Sequence, residues 1–267
     1  MNSINIRKYQ PKNSILRNLI KYYWIINSDN EVNINNELSP SNNIDFIINL
    51  SSPINYINDN EIESFSRFHF SGIRNRSQII QQTGILDIIG ISFFPTGASS
   101  ILKIPLSEFS NKTIILDDII NGFDSKFDSI RDCNLDRIDK IEKILLQLID
   151  LNLLPKEEHN KLISEAYYPF SRINVKEYCR QIGINQRTFE RSFKKNVGIN
   201  PKSFIKLTRF QIALNRLISG KYSNLTSLSH NLDYFDQTHF IKDFKSYMKI
   251  TPLEFVKQKK SVKEILR

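Results

Sequence analysis

This chain is poor in the residues that staple, ligate or anchor a protein. Among its 267 residues there are only two cysteines, Cys133 and Cys179, and neither has a Cys or His beside it at zinc-ligand spacing. A disulfide framework is excluded, and both read as small buried apolar side chains. No apolar run approaches the roughly 18 to 20 residues of a membrane helix, and the opening MNSINIRKYQPKN lacks the apolar core of a signal peptide. The default expectation is a cytoplasmic chain without a membrane partner. A Gly-rich phosphate loop is also missing, and His69, His159 and His230 stand in no metal-spaced or triad-like arrangement. Those histidines read as core or surface residues, and nothing in the pattern asks for a metal or a cofactor.

What is present is ordinary in bulk and uneven in distribution. Hydrophobic residues make up 40% and charged residues 24%, enough for one large or two moderate domains with cores of their own. The net charge is +9, yet from Ser171 onward 20 Lys and Arg face 7 Asp and Glu, a balance of +13, which leaves −4 for the first 170 residues. Basicity confined to one part is expected if that part meets a polyphosphate and the rest does not.

The basic part also repeats itself. FERSFKKNVGINPKSF, from Phe189 to Phe204, recurs with altered details 51 residues later as FIKDFKSYMKITPLEF, from Phe240 to Phe255. The copies keep Phe189/Phe240, Arg191/Lys242, Phe193/Phe244, Lys194/Lys245, Ile199/Ile250, Pro201/Pro252 and Phe204/Phe255. Packing alone requires only the apolar pairs; retention of the basic ones points to a shared charged face.

Turn and capping signals give an α+β chain in two parts. The N-terminal part, 1–168, reads as a mixed α/β, small β-barrel-like domain for sensing or dimerisation. Ser14 to Trp24 has a short amphipathic helix pattern, and IDFIINL (Ile44 to Leu50) and IIGISFF (Ile88 to Phe94) read as buried strands. Glu37 to Pro40, Ser51 to Pro53 and Pro95 to Gly97 mark turns. Asp136 to Leu154 and Lys156 to Tyr168 read as helices ended by Pro155 and Pro169. The second part, 169–267, is all helix: Val175 to Ile182, then Asn185 capping a helix to Val197, then Ser203 to Ser219. The scheme repeats with Leu225 to Leu232, Asp236 capping Gln237 to Met248, and a last helix from Pro252.

A helix-turn-helix needs a small residue in its first helix, a tight turn, and a second helix with one apolar and one polar side. Cys179 and Ser229 supply the small residues, Gly183 the first turn. With GINQRTFERSFKKNVGINP and YFDQTHFIKDFKSYMKITP, and with Arg209 and Ala213 in the joining helix, residues from about Arg172 to Val256 resemble the AraC-type regulators. That resemblance implies a DNA-binding domain of two helix-turn-helix units joined by a long helix. Asp233 and Lys249 depart from the family's usual Gly; Asp tolerates a left-handed backbone better than Lys does. Less specifically, Tyr23-Trp24, Pro40 before IDFIINL, Gly72 and GISFFPTGA resemble the sensor-like domains fused to such regulators.

Two recognition helices about one helical turn of DNA apart, roughly 34 Å, enter successive major grooves. Gln186, Arg187, Glu190 and Arg191 in the first, and Gln237, Thr238, Ile241 and Lys242 in the second, are the candidates for base contacts. Arg pairs with guanine, Gln with adenine, and Ile touches a thymine methyl. Lys194, Lys195, His239 and Lys245 are candidates for phosphate contacts. Tyr23, Trp24, Phe46 and Phe93 are candidates for an apolar effector pocket, and the same residues read equally as plain core. The expected partners are double-stranded DNA and a small-molecule effector, with RNA polymerase and a second copy of the chain as further candidates. One alternative is a regulator needing no effector, whose first domain only dimerises or contacts polymerase. Another is a DNA-repair enzyme fused to a DNA-targeting module, for which Cys133 in RDCNLDR is the lone candidate nucleophile.

Overall fold

The computed structural model describes residues 4–58, 61–127, 130, 137–168 and 173–265. Cys133 and the expected boundary at 168/169 to Arg172 fall at or beyond the edges of these stretches, so neither is placed.

Among the described residues the N-terminal part has ten strands in two sheets. In chain order they are β1 (Ile4–Tyr9), helix α1 (Ser14–Arg17), β2 (Ile20–Ser28), β3 (Val32–Leu38), β4 (Ile44–Asn49), β5 (Ile54–Asn58), β6 (Glu61–Phe65), β7 (Phe68–Ser71), β8 (Gln78–Gly84) and β9 (Asp87–Phe93). Short helix α2 (Ser99–Leu102), strand β10 (Thr113–Ile115) and helix α3 (Phe123–Phe127) follow. One sheet runs β1-β2-β9-β4-β7-β10 and the other β3-β8-β5-β6.

The expected helix over Ser14 to Trp24 is corrected. Helix α1 stops at Arg17, with Asn18 as its C-cap, and β2 starts at Ile20. The run IKYYWII is β-branched and aromatic, and it pairs on one side with β1 and on the other with β9. Ladder partners on both edges outweigh a helical spacing only three turns long. The turn expected from Glu37 begins later as well, because Glu37 is still paired with Ile79.

Strand alternation divides the apolar residues between two cores. On β4, Ile44, Phe46 and Ile48 face the main core, while Ile47 faces a smaller one with Val32, Ile54, Tyr56, Phe65, Leu86 and Ile88. The smaller core fills the space between the sheets. Trp24 packs there over Gly90, where an added Cβ would stand 1.8 Å from the indole Cε2. Only glycine leaves room for that ring.

The remaining helices are α4 (Arg137–Leu148), α5 (Glu157–Tyr167), α6 (Val175–Gln181), α7 (Gln186–Val197), α8 (Pro201–Ser219), α9 (Leu225–Asn231), α10 (Gln237–Met248) and α11 (Pro252–Ile265). Where one long helix was expected from Asp136 to Leu154, α4 ends at Leu148 and a 3-10 turn occupies Leu151–Leu153, with the Asp150 carboxylate accepting from the Asn152 N–H. The main core runs without a break from the first sheet through α5 into α7, α8 and α10.

Contacts between the two parts are specific. The Asn42 amide donates to Thr208 Oγ1 at 2.9 Å, with both residues buried. Gln211 on α8 reaches the Pro40 carbonyl at 3.4 Å. His159 on α5 lies edge-on to Phe189 and Phe193 of α7, 5.4 Å from each ring. Burial holds its imidazole down to about 4, so it sits there neutral.

Candidate nucleic-acid interface

Every helix from α6 to α10 begins with an Asn or Asp whose side chain caps it. Asn174, Asn185, Asn200, Asn224 and Asp236 accept from backbone N–H groups two or three residues ahead, and Pro201 sits at the first position of α8. Helix α11 opens instead with a reciprocal pair: the Thr251 N–H donates to Glu254 Oε2 at 2.7 Å, and the Glu254 N–H to Thr251 Oγ1 at 3.3 Å. Such caps fix the helix starts locally, before any tertiary contact forms.

In the first unit, Phe189 and Phe193 drop into the core below α7, against Tyr178, His159 and Phe204. The opposite side of the helix is polar. Arg187, Arg191, Lys194 and Lys195 are exposed there. Gln186 and Glu190 are half-buried and bound to each other, with Gln186 Nε2 donating to Glu190 Oε1 at 2.8 Å. That bond links the two side chains one turn apart on α7.

The second unit is fastened differently. Phe240 and Phe244 of α10 are fully buried, and between them lies Asp243, only 4% exposed. Asp243 accepts from the Tyr234 hydroxyl at 3.0 Å and stands 2.6 Å from the Lys206 ammonium of α8. Arg209, also on α8, covers the Tyr234 ring at 5.2 Å and lies 3.8 Å from the Asp233 carboxylate. Burial, with the Asp243 charge behind it, pushes the Tyr234 hydroxyl far above its usual range. Sequence reading missed this network, although a carboxylate three residues after Phe240, on the apolar side of a helix, is the signal of a buried partner.

Among the second unit's candidates, Thr238, His239, Lys242 and Lys245 are exposed and Ile241 is half-buried. Gln237 Oε1 accepts from Thr226 Oγ1 at 2.7 Å, which ties it to α9. The His239 backbone N–H donates to the Asp236 cap at 2.6 Å, and its ring meets Tyr234 edge-on at 5.4 Å. Asp233 and Lys249 adopt the left-handed backbone expected of them, at φ 57° and 63°.

Residues 178–258 match a family described as a helix-turn-helix domain, and residues 7–115 match a domain of unknown function (DUF6597). The C-terminal part carries a helix-turn-helix domain of the AraC type. An uncharacterized HTH-type transcriptional regulator of Haemophilus influenzae is 24% identical over 116 residues, covering 43% of this chain and 39% of that protein. The chain thus aligns with well under half of that relative's length. Two solved structures are similar in part. One is unsaturated fatty acid bound wild-type ToxT from Vibrio cholerae, TM-score 0.42, 11% identical, covering 86% of this chain and 96% of ToxT. The other is the DNA-binding domain of AdpA with a target DNA, TM-score 0.37, 15% identical, covering 40% of this chain and 96% of AdpA's.

The four candidate pocket aromatics do not share one site, although Phe46 and Phe93 are in contact with ring centroids 4.6 Å apart. Tyr23, Phe46 and Phe93 are fully buried in the main core, whereas Trp24 points to the other side of the sheet. A cleft of about 600 Å³ opens elsewhere, between the α1 end of the sheet and α5, lined by Arg17, Lys21, Phe94, Pro95, Ile163 and Tyr167 among others. Burial lowers the Lys21 ammonium, with the Asp45 charge opposing the shift. Cys179 is buried, as are His69 and His159, while His230 is exposed. Among the described residues there is no cluster of His, Cys, Asp or Glu able to hold a metal, and no helix long and apolar enough to cross a membrane.

Proposed function

We propose that the chain is a sequence-specific transcription regulator in which both helix-turn-helix units contact DNA and the N-terminal part modulates them. The observation that carries this is the paired arrangement of exposed cations on two capped helices, Arg187, Arg191, Lys194 and Lys195 on α7 and Lys242 and Lys245 on α10. Helix α8, with 19 residues, spaces them rigidly over about 28 Å. Arg187 and Arg191 read guanine, Gln186 and Gln237 adenine, Ile241 a thymine methyl, and the lysines with His239 hold phosphates. Selection from a randomised duplex pool tests this. A recovered consensus with two contacts about one helical turn apart supports it, and salt-sensitive binding without any consensus sinks sequence-specific reading.

Modulation by a small molecule draws support from the cleft beside α5. The same helix presents His159 to Phe189 and Phe193, so a ligand pressing on its Ile163 and Tyr167 side bears on the packing beneath the first recognition helix. A second reading, an N-terminal part that only dimerises or meets polymerase, is favoured by the sealed packing of Tyr23, Phe46 and Phe93. Its edge strand β1 exposes Ile4 and Ile6, which suits pairing with a second copy. Ligand screening by thermal shift on the full chain separates the two: stabilisation by a compound that also changes DNA affinity selects the first.

A further inference from the structure

The two units are not spaced by one constant offset. Their first helices are 50 residues apart, Val175 to Leu225 and Gln181 to Asn231, as are their caps Asn174 and Asn224. Their second helices and caps are 51 apart, Gln186 to Gln237 and Asn185 to Asp236. The second turn is therefore one residue longer than the first.

Backbone geometry locates the extra residue. Gly183 and Asp233 take the same left-handed conformation, at φ 69° and 57°. The Ile184 N–H then donates to the Cys179 carbonyl at 3.0 Å, and the Tyr234 N–H donates to the equivalent Ser229 carbonyl at 3.1 Å. Up to Tyr234 the turns correspond residue for residue, and the next residue in the first unit is already the cap. The addition is Phe235, between Tyr234 and the cap Asp236. Because Tyr234 fills the inward position at 4% exposure, Phe235 has nowhere to turn but outward, and it is 88% exposed, the most exposed large apolar residue described.

We infer that Phe235 is a specificity-determining residue of the second unit, packing its ring against a thymine methyl in the major groove. This rests on the reading of α10 as a recognition helix. The N-terminal end of such a helix approaches the base edges, and an aromatic ring against the thymine methyl is one of the apolar contacts that the groove offers. Phe235 lies immediately before that end, beside Gln237 and Thr238, in the part of the chain with a balance of +13. The net charge of that part suits a polyanion, and the ring adds a large exposed apolar group to the half-buried Ile241 of α10.

The test uses the full chain and its selected duplex, with each thymine in turn replaced by uracil, which removes only the methyl. Wild type loses about fourfold in affinity at the position that meets Phe235, the worth of one buried methyl, separately from any thymine that meets Ile241. Phe235→Ser binds the thymine duplex about tenfold more weakly, no longer distinguishes uracil there, and keeps its thermal midpoint because the ring is outside the core. Phe235→Leu retains part of the discrimination. Equal affinities and equal uracil profiles for wild type and Phe235→Ser overturn this inference alone, as does a variant that changes only self-association or polymerase contact. A wild-type chain that selects no sequence overturns the DNA-reading itself.

Discussion

The two helix-turn-helix units share a plan and differ in what holds them. The first leans on the N-terminal part, through His159 against Phe189 and Phe193 and through Gly198, where an added Cβ would stand 3.2 Å from the Leu106 carbonyl. The second is fastened to α8 by charge, through Lys206, Arg209, Asp243 and Tyr234. Both units reach the main core, but a unit packed directly against α5 moves with it, whereas one tied to α8 by a local polar network is adjusted on its own. Under the proposed modulation, this difference makes the first unit the one through which the N-terminal part would act.

The largest expected effect breaks the comparison at its apolar base. Phe193→Ala removes a fully buried ring and costs about 3 to 5 kcal/mol. Because that ring packs directly against His159 of α5, calorimetry of the full chain records the loss in the main transition. Phe244→Ala costs a similar amount, but its loss is confined to protection from hydrogen exchange across α9 to α11. Equal loss of protection in the N-terminal strands for both variants would remove the distinction.

Binding is the next test. Arg191→Ala lowers specific DNA affinity by about 1 to 3 kcal/mol and relaxes selectivity at one base pair. Lys242→Ala, at the matching position of the second unit, costs less and weakens all sequences alike, since lysine lacks the planar fork that pairs bidentately. Quantitative gel shifts on the selected duplex and on single-base variants measure both.

Acid sharpens the comparison further. Burial holds His159 at about 4 and His69 at about 3, against roughly 6.5 in the unfolded chain. Below pH 6.5 the unfolded chain takes up protons that the fold refuses, so stability is full above that value. It then falls as pH drops toward 4, by up to about 1.4 kcal/mol per unit for each histidine. Thermal midpoints across pH 7 to 4.5 should show the slope, shallower in His159→Gln. Smallest is Lys249→Gly. Lys249 occupies the left-handed position that Gly198 fills in the first unit, and relief of its backbone strain should stabilise the second unit by about 0.5 to 1 kcal/mol in urea titrations.

The helical part was legible because its signals are local. Asn185, Asp236 and Gly198 bound the two recognition helices at the residues where the structure places those bounds. The strands were not, apart from β4 and β9. VNINNEL in β3 and QIIQQTG in β8 carry Asn and Gln on faces that water or a neighbouring strand satisfies, so their apolar alternation is broken. Tyr23 and Trp24 illustrate the consequence. Both are candidates for one pocket, yet as adjacent residues of a strand they face opposite sides of the sheet.

Caps, turns and helical periodicity act over three or four residues, so the sequence by itself determined the double helix-turn-helix and the side of each helix that carries cations. Long-range packing decided the rest. Whether IKYYWII became helix or strand depended on finding β1 and β9, and the exposure of Phe235 depended on Tyr234 being claimed by Asp243 and Arg209. Those partners lie 9 and 25 residues from Tyr234 along the chain, beyond the reach of any local rule.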